Sequence, residues 1–304
     1  MRRQRIYGTL WTLSLCLLLL LSACGTASRE DPRVVVASVD TLEQRVIGKM
    51  TVLALERQGY DVVERCGLGN PQMVRAALEA GGVDVCWGYT GDAWTVHLRH
   101  DYPVADADEL FSKVHDEDLL NEITWLSPCE WENRKSLIVR ESFAEDNDIE
   151  TIWDLARYVN DVNPDTRLCI PQELYDSATG IRGLERFYSF QFKKQQVRFL
   201  STEEGYDALA EGDCDCALGL SADAALTEAS LRSLKDDKGF FGASNLAPVV
   251  RTPVLLESPD VEHVLVELSG ALTEDVMREI HRRAVIEGQK PAAVARHLLR
   301  KCGM

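Results

Sequence analysis

Residues 34–71 read VVVASVDTLEQRVIGKMTVLALERQGYDVVERCGLGNP, and the fold is decided here. The β-branched run at 34–38 predicts a strand. From 41 to 58 the apolar residues Leu42, Val46, Met50 and Leu53 recur at helical spacing, and Gly59 ends the helix. A second strand follows at 60–65. The turn Gly67, Leu68, Gly69 then delivers Asn70 as an N-cap, with Pro71 at the first helical position. Strand, helix, strand and helix in succession build an α/β sheet. A third strand at 83–87 is expected to run into a loop from Gly88 to Gly91, at the carboxyl end where open α/β sheets bind ligands.

Outward from this unit, residues 123–140 carry Pro128 and then an extended stretch at 136–139, which reads as a crossing into a second lobe. Helices are expected at 152–158, 180–188 and 203–210, and strands at 167–170, 197–200 and 214–218. The segment 231–241 leads back, and Val249 and Val250 sit in a short return strand. Two or three helices finish the chain, with Ser258, Pro259, Thr273 and Pro291 at helix starts. The expected class is α/β, with mostly parallel sheets in two lobes: 33–134 with 245–304, and 135–244.

Before the first strand, Arg2, Arg3 and Arg5 precede an apolar run from about residue 10 to 21, and Leu21, Ser22, Ala23, Cys24 closes it. This is the pattern of a lipoprotein export signal over residues 1–23, with Cys24 as lipid attachment and 24–32 as a linker. The apolar run is shorter than the roughly 20 residues of a spanning helix. A signal anchor that is never cleaved is the alternative. Cleavage leaves 30 basic against 49 acidic residues, a net charge of −19. Such a surface repels nucleic acid and anionic headgroups. The chain is therefore expected outside the cytoplasmic membrane, held by lipid alone.

Of nine cysteines, Cys16 leaves with the leader and Cys24 carries lipid. The remaining odd number cannot pair completely, and their spacing is not that of a small disulfide framework. Cys214 and Cys216, two apart in an expected strand, read as small core residues on one face.

Several segments together resemble the substrate-binding lipoproteins of ABC importers for glycine betaine, choline, carnitine and related quaternary amines. They are Glu43, Gln44 with Ile47, Gly48; Gly67, Leu68, Gly69; Ala77, Leu78 with Gly82, Val83, Asp84; and Tyr89, Thr90, Gly91. Further along come Trp125, Leu126 with Pro128; the run from Asp236 to Phe241; and Ala247, Pro248, Val249, Val250, Arg251. The resemblance implies a two-lobed type II periplasmic binding protein fold with two hinge crossings, a permease and a cytoplasmic ATPase as partners, no cofactor and no catalysis.

The family's pocket cages a quaternary ammonium in tyrosines, since a methylated cation donates no ordinary hydrogen bond but is attracted to aromatic faces. Transferred by position, only part of that cage survives here. Tyr89 is present, whereas Asp92 replaces a threonine, Lys135 and Ser244 replace tyrosines, and Ser177 stands near an arginine position. Val39 and Leu220 fall where a lysine and another tyrosine are usual. The candidate ligand-binding set is Tyr89, Thr90, Asp92, Asn133, Lys135, Ser177 and Ser244. Lys135 suits a ligand carboxylate and Asp92 an amine or hydroxyl, while Trp87 and Trp131 are candidate replacement faces. Asp92 equally suits a helix N-cap, Lys135 a solvated hinge and Trp87 a core strand. The function this implies is delivery of a compatible-solute-like amine, or alternatively of another polar or zwitterionic solute on the same fold.

An enzyme is the rival class. His97, His100 and His115 lack a completing ligand at metal-site spacing, and no Gly-x-Ser-x-Gly elbow is present, so neither a metal site nor a tethered hydrolase is expected. A sensory receptor is the remaining alternative.

Overall fold

The computed structural model describes residues 33–175, 180–223 and 225–304. Strand β1 (Arg33–Val39) leads to helix α1 (Leu42–Arg57), where the Thr41 hydroxyl accepts the Gln44 N–H. Strand β2 (Asp61–Gly69) pairs parallel to β1. Asn70 caps α2 (Pro71–Glu79) by accepting the Met73 N–H at 2.9 Å, as its position before Pro71 predicts. Strand β3 is Val85–Tyr89, so the expected loop at 88–91 is instead the end of the strand followed by a helical turn, Thr90–Asp92, continuing through Ala93–His97. Helix α3 (Ala107–Asp118) and strand β4 (Ile123–Trp125) precede the first crossing.

Beyond it come β5 (Lys135–Arg140), α4 (Ile152–Arg157), β6 (Leu168–Ile170), α5 (Ile181–Tyr188), β7 (Val197–Phe199), α6 (Thr202–Ala210), β8 (Cys216–Leu220) and β9 (Leu231–Ser233). The return strand β10 (Leu246–Arg251) is longer than the two residues that the sequence marks. Helices α7 (Asp260–Ala271), α8 (Glu274–Ile280) and α9 (Pro291–Lys301) start where Pro259, Thr273 and Pro291 place them.

Two five-stranded sheets result, one per lobe, in the orders β2-β1-β3-β10-β4 and β7-β6-β8-β5-β9. In each, four strands run one way and one is reversed: β10 pairs antiparallel to β3 and β4, and β5 to β8 and β9. The mixed sheets follow from the crossings, because each reversed strand is the first that the chain forms on entering that lobe. Helices α1, α7 and α9 cover the first sheet around Val46, Ile47, Met50, Leu268 and Leu298; a second core around Leu137, Leu155, Leu184 and Tyr188 covers the other.

The two crossing segments run side by side. Glu132 bridges Asn245, the Asn133 N–H donates to the Ser244 carbonyl at 3.1 Å and the Leu246 N–H to the Trp131 carbonyl at 3.3 Å. In the second crossing the Asp236 carboxylate accepts the Tyr188 hydroxyl at 2.7 Å and the N–H groups of Phe240 and Phe241, which fixes the loop of the Asp-Asp-Lys-Gly-Phe-Phe run.

Cys214 lies ahead of β8, not inside it, and forms a disulfide with Cys169 of β6; Cys216, inside β8, is a buried free thiol donating to the Arg167 carbonyl. The two are buried in different cores, so the shared face expected of them is corrected. Among the described residues no helix is long and apolar enough to cross a membrane, and no three His, Cys, Asp or Glu side chains gather as a metal group. His100 stacks on Trp94 and contacts Glu117, His115 lies against Asp116, and His97 ends the helical segment after β3.

Candidate functional site

A cleft of about 680 Å³ opens between the two sheets at the carboxyl end of β3. From the first lobe it is walled by Glu43 and Gln44 at the start of α1, Arg75 of α2, Trp87 and Tyr89 of β3, and Asp92. From the second come Tyr206 of α6, Leu220 at the end of β8, and Asp223. The sequence puts these groups together because α1 and α2 begin, and β3 and β8 end, on the side of each lobe that faces the other. A smaller cavity of about 190 Å³ adjoins it, lined by Asp92, Trp94, Lys135, Phe241 and Ser244, and shares Tyr89, Asp92, Asn133 and Leu220 with the larger one.

The Tyr89 hydroxyl donates to Glu43 Oε1 at 2.8 Å, and His281, just past α8, approaches Glu43 Oε2 at 3.6 Å. Glu43 is 9 % exposed; desolvation pushes its carboxyl pKa up, against the opposing pull of the Tyr89 bond and His281. Burial and the adjacent Glu43 push the Tyr89 phenol well above its ordinary value. Tyr89 therefore stays a neutral phenol whose proton is committed to Glu43.

The outer wall is held by a buried ion pair. Arg75 donates from both terminal nitrogens to Asp118 at 2.6 Å each, and Asp118 also accepts Trp125 Nε1 at 2.7 Å and Asn121 Nδ2 at 3.0 Å. Burial raises the Asp118 pKa, but these donors together outweigh it and leave the carboxyl below its usual range. Arg75 is thereby committed to the wall, although it lines the cleft.

Of the sequence-derived candidates, Tyr89, Asp92 and Asn133 line both cavities, and Lys135 and Ser244 line the smaller. Thr90 lines neither: it is 1 % exposed, and its hydroxyl accepts the Asn245 N–H at 3.0 Å, tying β3 to the second crossing. Ser177 lies outside the described residues. Trp87 faces the large cavity while its indole donates to Thr51 Oγ1 at 2.9 Å, so it belongs to core and wall together. Trp131 is buried against the same core and lines neither cavity.

Sequence reasoning missed Tyr206 and His281 as site residues. The Tyr206 hydroxyl accepts the Leu220 N–H at 3.1 Å, so an aromatic ring from α6 stands beside the position where Leu220 supplies none. Glu43 was legible only as part of a motif. Its role needs the contact with Tyr89, 46 residues away.

The motifs that carry the resemblance meet in space. Asp84 accepts Arg251 Nη2 at 2.7 Å and the Val35 N–H at 2.9 Å, linking three strands. Gly91 packs so tightly on the second crossing that a Cβ there would lie 2.8 Å from the Ala243 carbonyl oxygen.

Comparison with known proteins agrees with this geometry. The sequence family described as the substrate binding domain of ABC-type glycine betaine transport system matches residues 32–301. The chain is 31 % identical to a glycine-betaine-binding protein of Pseudomonas aeruginosa over 95 % of its length and 93 % of that protein's. It is 27 % identical to the glycine betaine-binding protein YehZ of Escherichia coli, over 97 % of each chain. A solved structure described as a glycine betaine/carnitine/choline ABC transporter superposes with a TM-score of 0.78 at 25 % identity, covering 89 % of this chain and 98 % of that one. With two mixed-sheet lobes, a cleft between them and a family match across nearly every described residue, this chain belongs to the substrate-binding domains of ABC-type glycine betaine transport systems: an extracytoplasmic binding protein for a small solute and not an enzyme.

Proposed function

We propose that this chain captures a small amine of the compatible-solute class, glycine betaine, choline or a related amine, and delivers it to an ABC permease driven by a cytoplasmic ATPase. The observation that carries the reading is that Tyr89 and Tyr206, from opposite lobes, line one cleft whose other polar groups include the carboxyls of Glu43 and Asp223. Aromatic faces and carboxylates both attract a cation, whether or not it bears hydrogens. In this reading 33–134 with 245–304 form one lobe and 135–244 the other. Tyr89, Asp92, Asn133, Lys135 and Ser244 contact the solute, and Thr90 holds Tyr89 in place. The arginines, apolar run and small residues before Cys24 support a cleaved leader and a lipid anchor on that cysteine, which the mass of the mature protein's first peptide checks.

The test is a thermal-shift screen of residues 25–304 against glycine betaine, choline, carnitine, ectoine, amino acids and polyamines, since a ligand that binds only the folded state raises its apparent stability. A solute at a hundred times its Kd is expected to stabilise by about 2.7 kcal/mol. No shift with any amine of the set overturns the proposal.

A further inference from the structure

The smaller cavity is lined by two opposite charges to which no described residue supplies an ion pair or a hydrogen bond, although His97 lies within electrostatic reach of Asp92. Asp92 follows β3 in the first lobe and Lys135 opens β5 in the second; both line the same 190 Å³ space. Neither side chain forms an ion pair or hydrogen bond among the described residues, and they do not pair with each other. The adjacent Arg134 differs, being committed to Glu132. The remaining polar lining includes the Ser244 hydroxyl and the Asn133 amide, and Asn133 Oδ1 already accepts the Ala222 N–H at 3.3 Å.

Enclosing an unpaired carboxylate and an unpaired ammonium as two lobes close over them is costly unless partners enter with the ligand. Lys135 donates and so takes a carboxylate; Asp92 accepts and so takes an N–H. A quaternary ammonium satisfies Asp92 only through its charge, because its surface is all methyl. An ammonium with hydrogens adds charge-assisted hydrogen bonds. A site with a buried acceptor discriminates against an analogue that lacks the donor more strongly than an apolar pocket discriminates by size.

Resting on the proposed capture of a small amine, we infer that Asp92 and Lys135 form a dipolar subsite bridging the lobes, which selects a zwitterion whose ammonium retains N–H groups over its fully methylated counterpart. The ligand is thereby the bridge between lobes: its ammonium is held by the first and its carboxylate by the second.

Two N-methylation series test this by titration calorimetry. One runs from glycine through sarcosine and N,N-dimethylglycine to glycine betaine, the other from γ-aminobutyrate to its trimethylated form. The wild type is expected to bind the N–H-bearing members of at least one series ten- to a hundredfold more tightly than the trimethylated member. Asp92→Asn is expected to flatten that gradient, Asp92→Glu to retain part of it, and Lys135→Met to weaken every carboxylate-bearing member alike. Thermal melts of each variant confirm folding. A gradient in which the trimethylated member binds best, or one unchanged by Asp92→Asn, overturns the inference and leaves the proposed function standing. If neither series binds while choline does, the inference again falls alone; if no amine of either experiment binds, both fall.

Discussion

At the residue scale, Glu43 places a buried carboxyl in the wall of the cleft, at a cost to stability. Its carboxyl is buried, and its pKa is raised, so the folded state holds that proton more tightly than the unfolded chain does. Stability therefore falls as pH rises through the raised value, because the ionised form must be kept out of water. Glu43→Gln is expected to remove this loss: its melting temperature should gain on the wild type's as pH rises from the ordinary carboxylate range through the raised value and then hold that lead, while its affinity for a cationic solute falls. Melts across pH and one titration at pH 7.5 read both effects. An acid retained in spite of its cost is common where a site must meet charge. The sequence names Glu43 only as a letter in a motif; its burial and its tie to His281 depend on α8 folding back across the first lobe, and no local pattern encodes that.

At the scale of elements, local signals carried well. Asn70 before Pro71, Thr273 ahead of α8 and the alternation of the strands are short-range physics, and each element forms within a few residues of where these signals put it. Pairings across the chain were not legible in the same way. Cys214 and Cys216 look equivalent two residues apart, yet only Cys214 meets Cys169, because β6 and β8 are neighbours in the second sheet and the chain turns just before β8. Likewise Tyr206 reads as one apolar position of an amphipathic helix, and its place at the cleft depends on where α6 ends up. The disulfide joins residues 45 apart, and loop-closure entropy assigns it about 4 kcal/mol of stability. Cys214→Ser or full reduction is expected to lower the denaturant midpoint accordingly, whereas Cys216→Ala leaves the bridge in place and costs only its own packing. Denaturant titrations of the two variants with and without reductant separate the cases.

At the scale of the whole molecule, the cleft lies where two lobes meet through a narrow ribbon, with Glu132 bridging Asn245 and Thr90 bonded to the same asparagine. Few backbone hydrogen bonds cross there compared with those inside either sheet, so rotation about the ribbon is the soft motion of the molecule. Saturating solute is expected to draw the lobes together. Small-angle scattering should show a lower radius of gyration with ligand than without; an unchanged radius on full saturation rejects closure.

The strand order has one more effect, on the way the protein is made. In the first sheet β4 touches only β10, and β10 separates it from β3. More than a hundred residues, including the entire second sheet, lie between β4 and β10 in the chain. A polypeptide that emerges amino end first on the far side of a membrane can therefore complete its later sheet before its earlier one. Until residues 246–251 arrive, β3 keeps an unpaired edge of the kind that invites pairing with other chains. A late stretch of the chain thus completes the first sheet, and the interval before it arrives is when a nascent molecule most needs shielding from its neighbours.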